Sequence, residues 1–281
     1  MTESDERGTM ASEYELDRDL PLSRVRKAIW WGPRERYRNE TDAWLRNKFA
    51  EIHDLGYDFP LNLDMKYWRE RTAERWREFD PQSEQEIFEF YRTHEPYIPE
   101  LMLWTYEGQK IQTMRSYYEW FVDSDVRCER VLDYGGGVGD VSLFLNIFAD
   151  AYYCDVGGVL TEFYQQRMDA RSMEYPDPVI VDDPDWRVSD ELDDLDVIVT
   201  NDVIEHVPQP ESVVAGMVDA LRPGGYLATQ WTFADAENTP CHINTSDERA
   251  SATLDVLRDR CTEVHSTWNS FIRLWQKDES A

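Results

Sequence analysis

Residues 131–139 read VLDYGGGVG, a short apolar run that leads into four glycines within five positions. A buried strand followed directly by glycines indicates a sharp turn from a parallel strand into a helix. Glycine also lets a ligand approach the main chain without meeting a Cβ atom. The turn would lie at the carboxyl end of its strand, where open α/β sheets bind their ligands. The stretch therefore predicts an α/β fold with a ligand site at this turn.

From residue 126 onward, short apolar strands alternate with amphipathic helices. Strand–helix alternation predicts a mostly parallel sheet with helices on both faces. Two closely spaced β-like runs at the end predict a hairpin, which makes the last strand antiparallel. The predicted strands span residues 130–134, 151–155, 179–181, 196–201, 226–233, 262–266 and 271–276.

The first 125 residues have a different pattern. Residues 1–13 are polar and are predicted to form a disordered tail. Residues 14–125 carry aromatic side chains at helical intervals, and prolines divide the segment into short helices. We expect this segment to be a helical cap or lid on the domain formed by residues 126–281.

Acidic residues outnumber basic ones along the whole chain, with 57 Asp and Glu against 29 Lys and Arg and a formal net charge of −28. No basic stripe offers contacts to phosphates, so nucleic acid is not an expected partner. Dispersed acid with few lysines is typical of proteins from salt-loving organisms, in which salt screens the self-repulsion. We therefore expect a halophilic protein, and an acidic surface for a basic partner is the alternative.

Apolar runs are short throughout, and none approaches the roughly 20 residues that cross a bilayer. The N-terminus is acidic and lacks the apolar stretch of a secretory signal. The four cysteines form no C-x-x-C pair of the kind found in zinc or redox sites. These features predict a cytoplasmic protein without a membrane span.

A dinucleotide-dependent oxidoreductase is one class of protein with a glycine-rich turn after its first strand. Its G-x-G-x-x-G fingerprint needs a third glycine at position 140 or 142, and the chain has Asp140 and Ser142 there. An acidic side chain at the helix start would also face the pyrophosphate that this helix end should attract. The sequence therefore disfavours a dinucleotide site.

The pattern that does fit is D-x-G-x-G-x-G, which runs from Asp133 to Gly139. It resembles the first motif of the class I S-adenosylmethionine-dependent methyltransferases, whose cofactor is a sulfonium cation without phosphate. Residues 200–207, TNDVIEHV, resemble the motif after strand four in the type 11, ubiquinone-pathway-like small-molecule methyltransferases. The resemblance covers residues 126–281. It implies a Rossmann-like α/β fold with a seven-stranded, mostly parallel sheet and an antiparallel last strand.

The resemblance also implies which residues bind S-adenosyl-L-methionine. Asp155, at the end of the second strand, matches the acid that accepts hydrogen bonds from both ribose hydroxyls. Asp182 or Asp183 matches the acid that binds adenine, and the sequence does not choose between the two. The whole implied cofactor site consists of Asp133, Gly135, Gly136, Gly137, Gly139, Asp155, Val156, Asp182, Asp183 and Asn201.

Methyl transfer to oxygen needs an aligned nucleophile and benefits from a general base. His206, beside Glu205 after strand four, is the predicted base, with a pKa expected near neutrality. The tetrapeptide of nucleic-acid amino-methyltransferases is absent after strand four, so the expected acceptor is a small molecule or a glycan hydroxyl. Aromatic residues of the helical segment, Tyr106, Tyr117, Tyr118 and Trp120, are the candidates for the acceptor pocket.

Two further possibilities concern the same residues. Asp202, Glu205, His206 and His242 could together hold a divalent cation, because related O-methyltransferases use an E-x-x-E-H arrangement in this way. A protein with the same fold could also bind cofactor or a partner chain without turnover. The presence of all the motif glycines and of Asp155 favours an enzyme.

Overall fold

The computed structural model describes residues 65–106, 110, 113–114, 116–117, 120–121, 126, 128–146, 149–170, 175–181, 188, 192–233, 239–244, 246–266 and 272–279. The predicted tail, residues 1–13, lies outside these ranges. The helices are α1 Met65–Phe79, α2 Glu84–Thr93, α3 Tyr97–Tyr106, α4 Asp140–Leu145, α5 Val159–Ala170, α6 Pro210–Ala220 and α7 Asp247–Arg260. The strands are β1 Arg130–Tyr134, β2 Asp150–Asp155, β3 Val179–Ile180, β4 Leu195–Asn201, β5 Leu221–Gln230, β6 Cys261–Ser266 and β7 Arg273–Lys277.

The strands form one seven-stranded sheet in the order β3-β2-β1-β4-β5-β7-β6. Strands β1 to β5 pair in parallel, and β7 is antiparallel to both β5 and β6. The predicted Rossmann-like sheet with an antiparallel last strand is therefore confirmed. The strand order reverses between β1 and β4, which makes the carboxyl ends of these strands the expected place for a ligand.

The fifth strand begins earlier than its sequence pattern predicts. Leu221 pairs with Leu195, and Val197 then pairs with Tyr226, so residues 222–225 bulge out of the ladder. Gly225 is required in this bulge, because a Cβ atom there would lie 2.9 Å from the main-chain oxygen of Arg222. The segment Pro223-Gly224-Gly225, whose composition is typical of a turn, is thus a bulge inside β5.

Helices cover both faces of the sheet. Leu132 on β1 points to a core formed with residues of α2, α6 and α7, and its neighbour Val131 points to the opposite core with α4. Both cores are apolar, and β4 is buried along its full length, as expected of a central parallel strand. Phe88 and Phe90 of α2 share the first core with the strands, so the N-terminal helices pack directly on the sheet.

Two helix starts follow the usual capping chemistry. The Ser83 hydroxyl accepts a hydrogen bond from the Glu86 amide at the start of α2, and Ser246 accepts one from the Arg249 amide at the start of α7. Within the part of the chain described above, no helix is both long and apolar enough to cross a membrane.

Candidate functional site

A cleft opens at the carboxyl ends of β1, β2 and β4, with about 550 Å³ of empty space that is partly open to solvent. The strand ends contribute residues that the sequence singled out: Gly135, Gly137, Asp155, Val156, Asn201, Asp202 and His206. The rest of the lining is Tyr91, Tyr97, Leu101, Trp104, Lys110, Leu160 and Val203. The structure therefore brings the ends of the three strands together with helices α2 and α3 around one space.

The turn at residues 135–139 requires glycine for two reasons: some positions have a positive φ angle, and at some a tyrosine ring packs directly against the main chain. Gly139 has φ +80° and forms the N-cap of α4, and a Cβ atom there would meet the Tyr164 ring at 2.2 Å. A Cβ atom on Gly136 would lie 2.5 Å from the Tyr153 ring. Neither glycine lines the cleft, so both shape the turn while Gly135 and Gly137 face the empty space.

Asp155 is the most firmly positioned acid of the cleft. Its Oδ2 atom accepts a 2.7 Å hydrogen bond from the Gly137 amide, and its Oδ1 atom accepts one of 2.7 Å from the Val156 amide. Burial raises the pKa of this carboxyl, and the two amides oppose the rise. Each oxygen keeps acceptor capacity beyond its amide bond. The side chain can therefore receive two further donors from the cleft.

Asp133 has a different environment from Asp155. It is buried, does not line the cleft, and accepts a 2.6 Å hydrogen bond from the Ser142 hydroxyl. Burial raises its pKa to about 6, although Ser142 and Lys110 act in the opposite direction. Asp133 is thus placed to hold the turn to the start of α4.

Asp140 does not line the cleft, although its position in the sequence predicts that it would face a bound pyrophosphate. Its Oδ1 atom pairs with Nη2 of Arg167 at 2.7 Å, and its Oδ2 atom accepts a hydrogen bond from Thr105. Burial alone would raise the pKa of Asp140, but Arg167, Thr105 and Lys110 outweigh it and leave the pKa below the usual value. The expected repulsion of a pyrophosphate by Asp140 is therefore wrong, because Arg167 neutralises the charge.

The end of β4 is fixed by contacts to neighbouring elements. Asn201 Oδ1 accepts a hydrogen bond from the Tyr117 hydroxyl. Asp202 has φ +53°, in the left-handed region that aspartate tolerates better than most residues. Its Oδ2 atom accepts a 3.1 Å hydrogen bond from the Gln230 side chain. Asn201 is therefore held by Tyr117 of the N-terminal helical segment, and Asp202 is held by Gln230 of β5.

His206 lies in a short 3₁₀ turn, Ile204–His206, and lines the cleft. Its Nδ1 atom is 3.0 Å from the Cys241 carbonyl oxygen and 2.8 Å from the Tyr91 hydroxyl. A carbonyl can only accept, so Nδ1 carries the hydrogen and Nε2 carries the lone pair. Burial lowers the pKa of His206 to about 3, with a further contribution from His242. The near-neutral pKa expected from the sequence is therefore wrong, and His206 is neutral at physiological pH.

Glu205 lies beside His206 and is fully buried. Its Oε1 atom accepts a 2.9 Å hydrogen bond from the Thr232 amide, and burial raises its pKa well above the usual value. The His206 and His242 rings are in edge-to-face contact, with centroids 4.5 Å apart. Potential ligand atoms of these three residues all lie within 4.8 Å of one another. Asp202, the fourth predicted ligand, is not part of this group.

The wall formed by the N-terminal helices differs from the prediction. Tyr97, Leu101 and Trp104 line the cleft from one face of α3, and Tyr91 does so from α2. Their i, i+4, i+7 spacing on α3 is a sequence signal that could have identified them. Lys110 carried no such signal.

Two of the aromatic residues that the sequence suggested, Tyr117 and Trp120, do not line the cleft, although the Tyr117 hydroxyl reaches Asn201 at its edge. Trp120 packs into the second core and against His265, and Tyr117 is buried in the same core. The side chains of Tyr106 and Tyr118, together with Asp182 and Asp183, lie outside the described residues. The adenine-binding acid therefore stays a prediction.

A family model described as "Methyltransferase domain" matches residues 103–269, which is more than half of the chain. The chain belongs to this family. The match confirms the predicted enzyme class, a methyltransferase. Comparison of the sequence with curated proteins gives no match.

Solved structures that are similar to this chain share little sequence with it. The PH0226 protein from Pyrococcus horikoshii OT3 is 16% identical, with 62% of this chain and 92% of that chain covered and a TM-score of 0.50. The N-methyltransferase NodS from Bradyrhizobium japonicum WM9, in complex with S-adenosyl-L-homocysteine, is 15% identical over 69% and 97%, with a TM-score of 0.48. Magnesium protoporphyrin IX methyltransferase from Synechocystis PCC 6803, with bound SAM, is 16% identical over 78% and 98%, with a TM-score of 0.42. At such identities the likeness concerns the fold alone.

Proposed function

We propose that the cleft binds S-adenosylmethionine, with its ribose against Asp155, and transfers the methyl group to an oxygen of a small molecule or glycan. The main support for S-adenosylmethionine as the cofactor is the geometry of the Asp155 carboxylate. Amides of Gly137 and Val156 fix both oxygens at the edge of the cleft. A carboxylate held in this way is preorganised to accept the two hydroxyls of a ribose.

The same bonds argue against a dinucleotide. A phosphate bound at a glycine turn takes the amides of the turn as donors, and here the Gly137 amide already donates to Asp155. The cleft is also lined by the carboxylates of Asp155 and Asp202, with Lys110 as the cation among its lining residues. Such a lining favours a sulfonium cation over a pyrophosphate.

The acceptor would lie against the opposite wall, which His206 and Asp202 share with the aromatic residues Tyr91, Tyr97 and Trp104. Flat aromatic faces suit a ring, and polar groups at one end of the wall can orient a hydroxyl. An acidic acceptor would be disfavoured beside Asp202. A neutral, ring-containing hydroxyl compound therefore fits this wall best.

His206 is the residue proposed to meet the acceptor oxygen, through the lone pair on Nε2. A histidine with a pKa near 3 is too weak a base to remove a hydroxyl proton before the reaction. The acidity of that proton rises as the new carbon–oxygen bond forms, so a hydrogen-bond acceptor that takes the proton during transfer is sufficient. Glu205 does not line the cleft. It would therefore affect catalysis only indirectly, through the neighbouring His206.

The cofactor assignment is tested by calorimetric titration with S-adenosylhomocysteine. Replacing Asp155→Ala removes two charge-assisted hydrogen bonds to the ribose and should weaken binding by about tenfold or more. The matched control is Asp150→Ala, an exposed acid at the other end of the same strand, which should leave the affinity unchanged. Equal affinities for the two variants, or binding of NADH in place of S-adenosylhomocysteine, would overturn the proposal.

Methyl transfer to a hydroxyl group is tested by turnover. Incubation with labelled S-adenosylmethionine and a panel of hydroxylated aromatic compounds and glycosides should yield a labelled product. Label transfer to none of these compounds would contradict the proposed acceptor class.

A further inference from the structure

We infer that Glu205, His206 and His242 form a binding site for one divalent transition-metal ion beside the acceptor wall of the cleft. Their potential ligand atoms all lie within 4.8 Å of one another. An ion with bonds of about 2.1 Å holds its ligand atoms roughly 3.0–3.4 Å apart. Small side-chain rotations would therefore bring the three groups to ligating distance.

The Glu205 carboxylate supplies an independent observation. The side chain is fully buried, and its Oε2 atom makes no hydrogen bond with any residue that the structure describes. A buried carboxylate oxygen without a partner costs free energy. The other oxygen, Oε1, is fixed by the Thr232 amide. One oxygen thus anchors the side chain and leaves the other for a cation.

His206 is oriented as metal-ligating histidines usually are. Its Nδ1–H group donates to the Cys241 carbonyl oxygen at 3.0 Å, and the Tyr91 hydroxyl lies 2.8 Å from the same nitrogen. Metal-ligating histidines typically give one ring N–H to a carbonyl or carboxylate, which fixes the tautomer. The remaining nitrogen, Nε2, carries the lone pair that an ion requires.

The set of ligands indicates which ions would bind. Two imidazoles and one carboxylate favour zinc, iron, cobalt or manganese over calcium or magnesium, which prefer all-oxygen sites. Asp202 is excluded from the set, because its carboxylate accepts from Gln230 and lies outside the cluster. Three protein ligands leave coordination positions open for oxygen atoms of another molecule.

The consequence for the reaction rests on the proposed function. His206 lines the cleft, so an ion that it holds would lie at the end where the acceptor hydroxyl is proposed to bind. The ion would supply charge that orients the hydroxyl and makes its proton more acidic. With the ion bound, His206 would meet the acceptor through the metal rather than through a hydrogen bond.

Cobalt(II) is the probe for the test, because imidazole and carboxylate ligation gives it a characteristic visible spectrum. Full-length protein stripped with a chelator is titrated with Co²⁺ while the absorption is recorded. We expect one Co²⁺ per chain. Glu205→Gln and His242→Ala should each weaken Co²⁺ binding by about 100-fold or more, beyond the 10–100-fold typical of residues that only support a ligand. Circular dichroism confirms that each variant is folded.

His265→Ala is the matched control, since His265 is exposed on β6, two strands away from β5 in the sheet. It should leave the Co²⁺ affinity unchanged. S-Adenosylhomocysteine binding is measured on the same samples, so that failure of the metal site and failure of the cofactor site are distinguished. Wild-type protein that takes up no stoichiometric Co²⁺, or folded variants that bind it like the wild type, would overturn the inference.

Discussion

Arg167 and Asp140 form a buried ion pair of 2.7 Å, with side chains only 1% and 0% exposed. The pair joins three elements, because Arg167 lies on α5, Asp140 begins α4, and Thr105 of α3 donates to the same carboxylate. Arg167 also donates to the main-chain oxygen of Val138 in the glycine turn. The cation thus joins the glycine turn to the start of α4.

Replacing Arg167→Met should therefore destabilise the fold strongly. The substitution leaves the Asp140 carboxylate buried without its cation, which typically costs about 3–5 kcal/mol. Urea unfolding followed by tryptophan fluorescence measures the loss. Arg258→Met is the control, because its ion pair with Asp255 is exposed and should be worth less than about 1 kcal/mol. Equal losses in the two variants would contradict a structural role for the buried pair.

Gly136→Ala should disable cofactor binding. The new methyl group would lie 2.5 Å from the Tyr153 ring, and that ring cannot move aside because it stacks on Tyr164 at 4.0 Å. The turn would have to shift, together with the Gly137 amide that holds Asp155. We expect at least about a tenfold loss of S-adenosylhomocysteine affinity in a calorimetric titration, or more than about 1.4 kcal/mol.

Gly216→Ala provides the comparison for this substitution. Gly216 lies on α6, and a Cβ atom there would meet nothing within 4 Å. Alanine is the better helix former by about 0.5–1 kcal/mol, so this variant should be slightly more stable and bind the cofactor product normally. Full binding by Gly136→Ala would show that the turn tolerates a side chain, contrary to the close approach of Tyr153.

The sheet could be predicted because its signals are local. Strand β1, Arg130–Tyr134, matches the prediction at both ends, since an apolar run meets glycines directly. The start of β5 was missed because its Pro-Gly-Gly segment has the composition of a turn. Only the pairing of Leu221 with Leu195 shows that the strand begins before it.

The site could be predicted less well from the sequence, because the protonation states of its residues depend on partners that are distant along the chain. Asp140 and Arg167 are far apart along the chain, and no spacing rule pairs them. The pKa of His206 depends on burial and on His242, which reaches it from beyond β5. Lys110 lines the cleft without belonging to any motif. The acids that a motif places at strand ends, such as Asp155, could be predicted, whereas the electrostatic state of each group could not.

The net charge of −28 leads to a prediction about salt. Self-repulsion among dispersed carboxylates destabilises a compact chain, and about 1 M salt shortens the screening length to about 3 Å. The thermal unfolding midpoint should therefore rise from dilute buffer to molar KCl. Sucrose at matched osmolality controls for effects that do not depend on charge. A midpoint equal in dilute buffer and in molar KCl would contradict the halophilic interpretation.

His94 should make the stability of the protein fall in mild acid. It is 3% exposed and stacks on Phe90 with ring centroids 4.5 Å apart. Burial, with a smaller effect of Arg75, lowers the pKa of His94 to about 3. The unfolded chain binds a proton near pH 6.5 while the folded chain does not. The stability that neutral His94 contributes is therefore present above pH 6.5 and is lost as the pH falls toward 3.

The comparison with His94→Gln isolates this contribution from the buried acids, whose raised pKa values act in the opposite direction. Between pH 7 and pH 5 the wild type should lose about 2 kcal/mol more of its free energy of unfolding than the variant. Urea unfolding at the two pH values gives both numbers. His265→Gln, at an exposed position, should behave like the wild type. If His94→Gln and the wild type lose stability in parallel, the imidazole is not held neutral by burial.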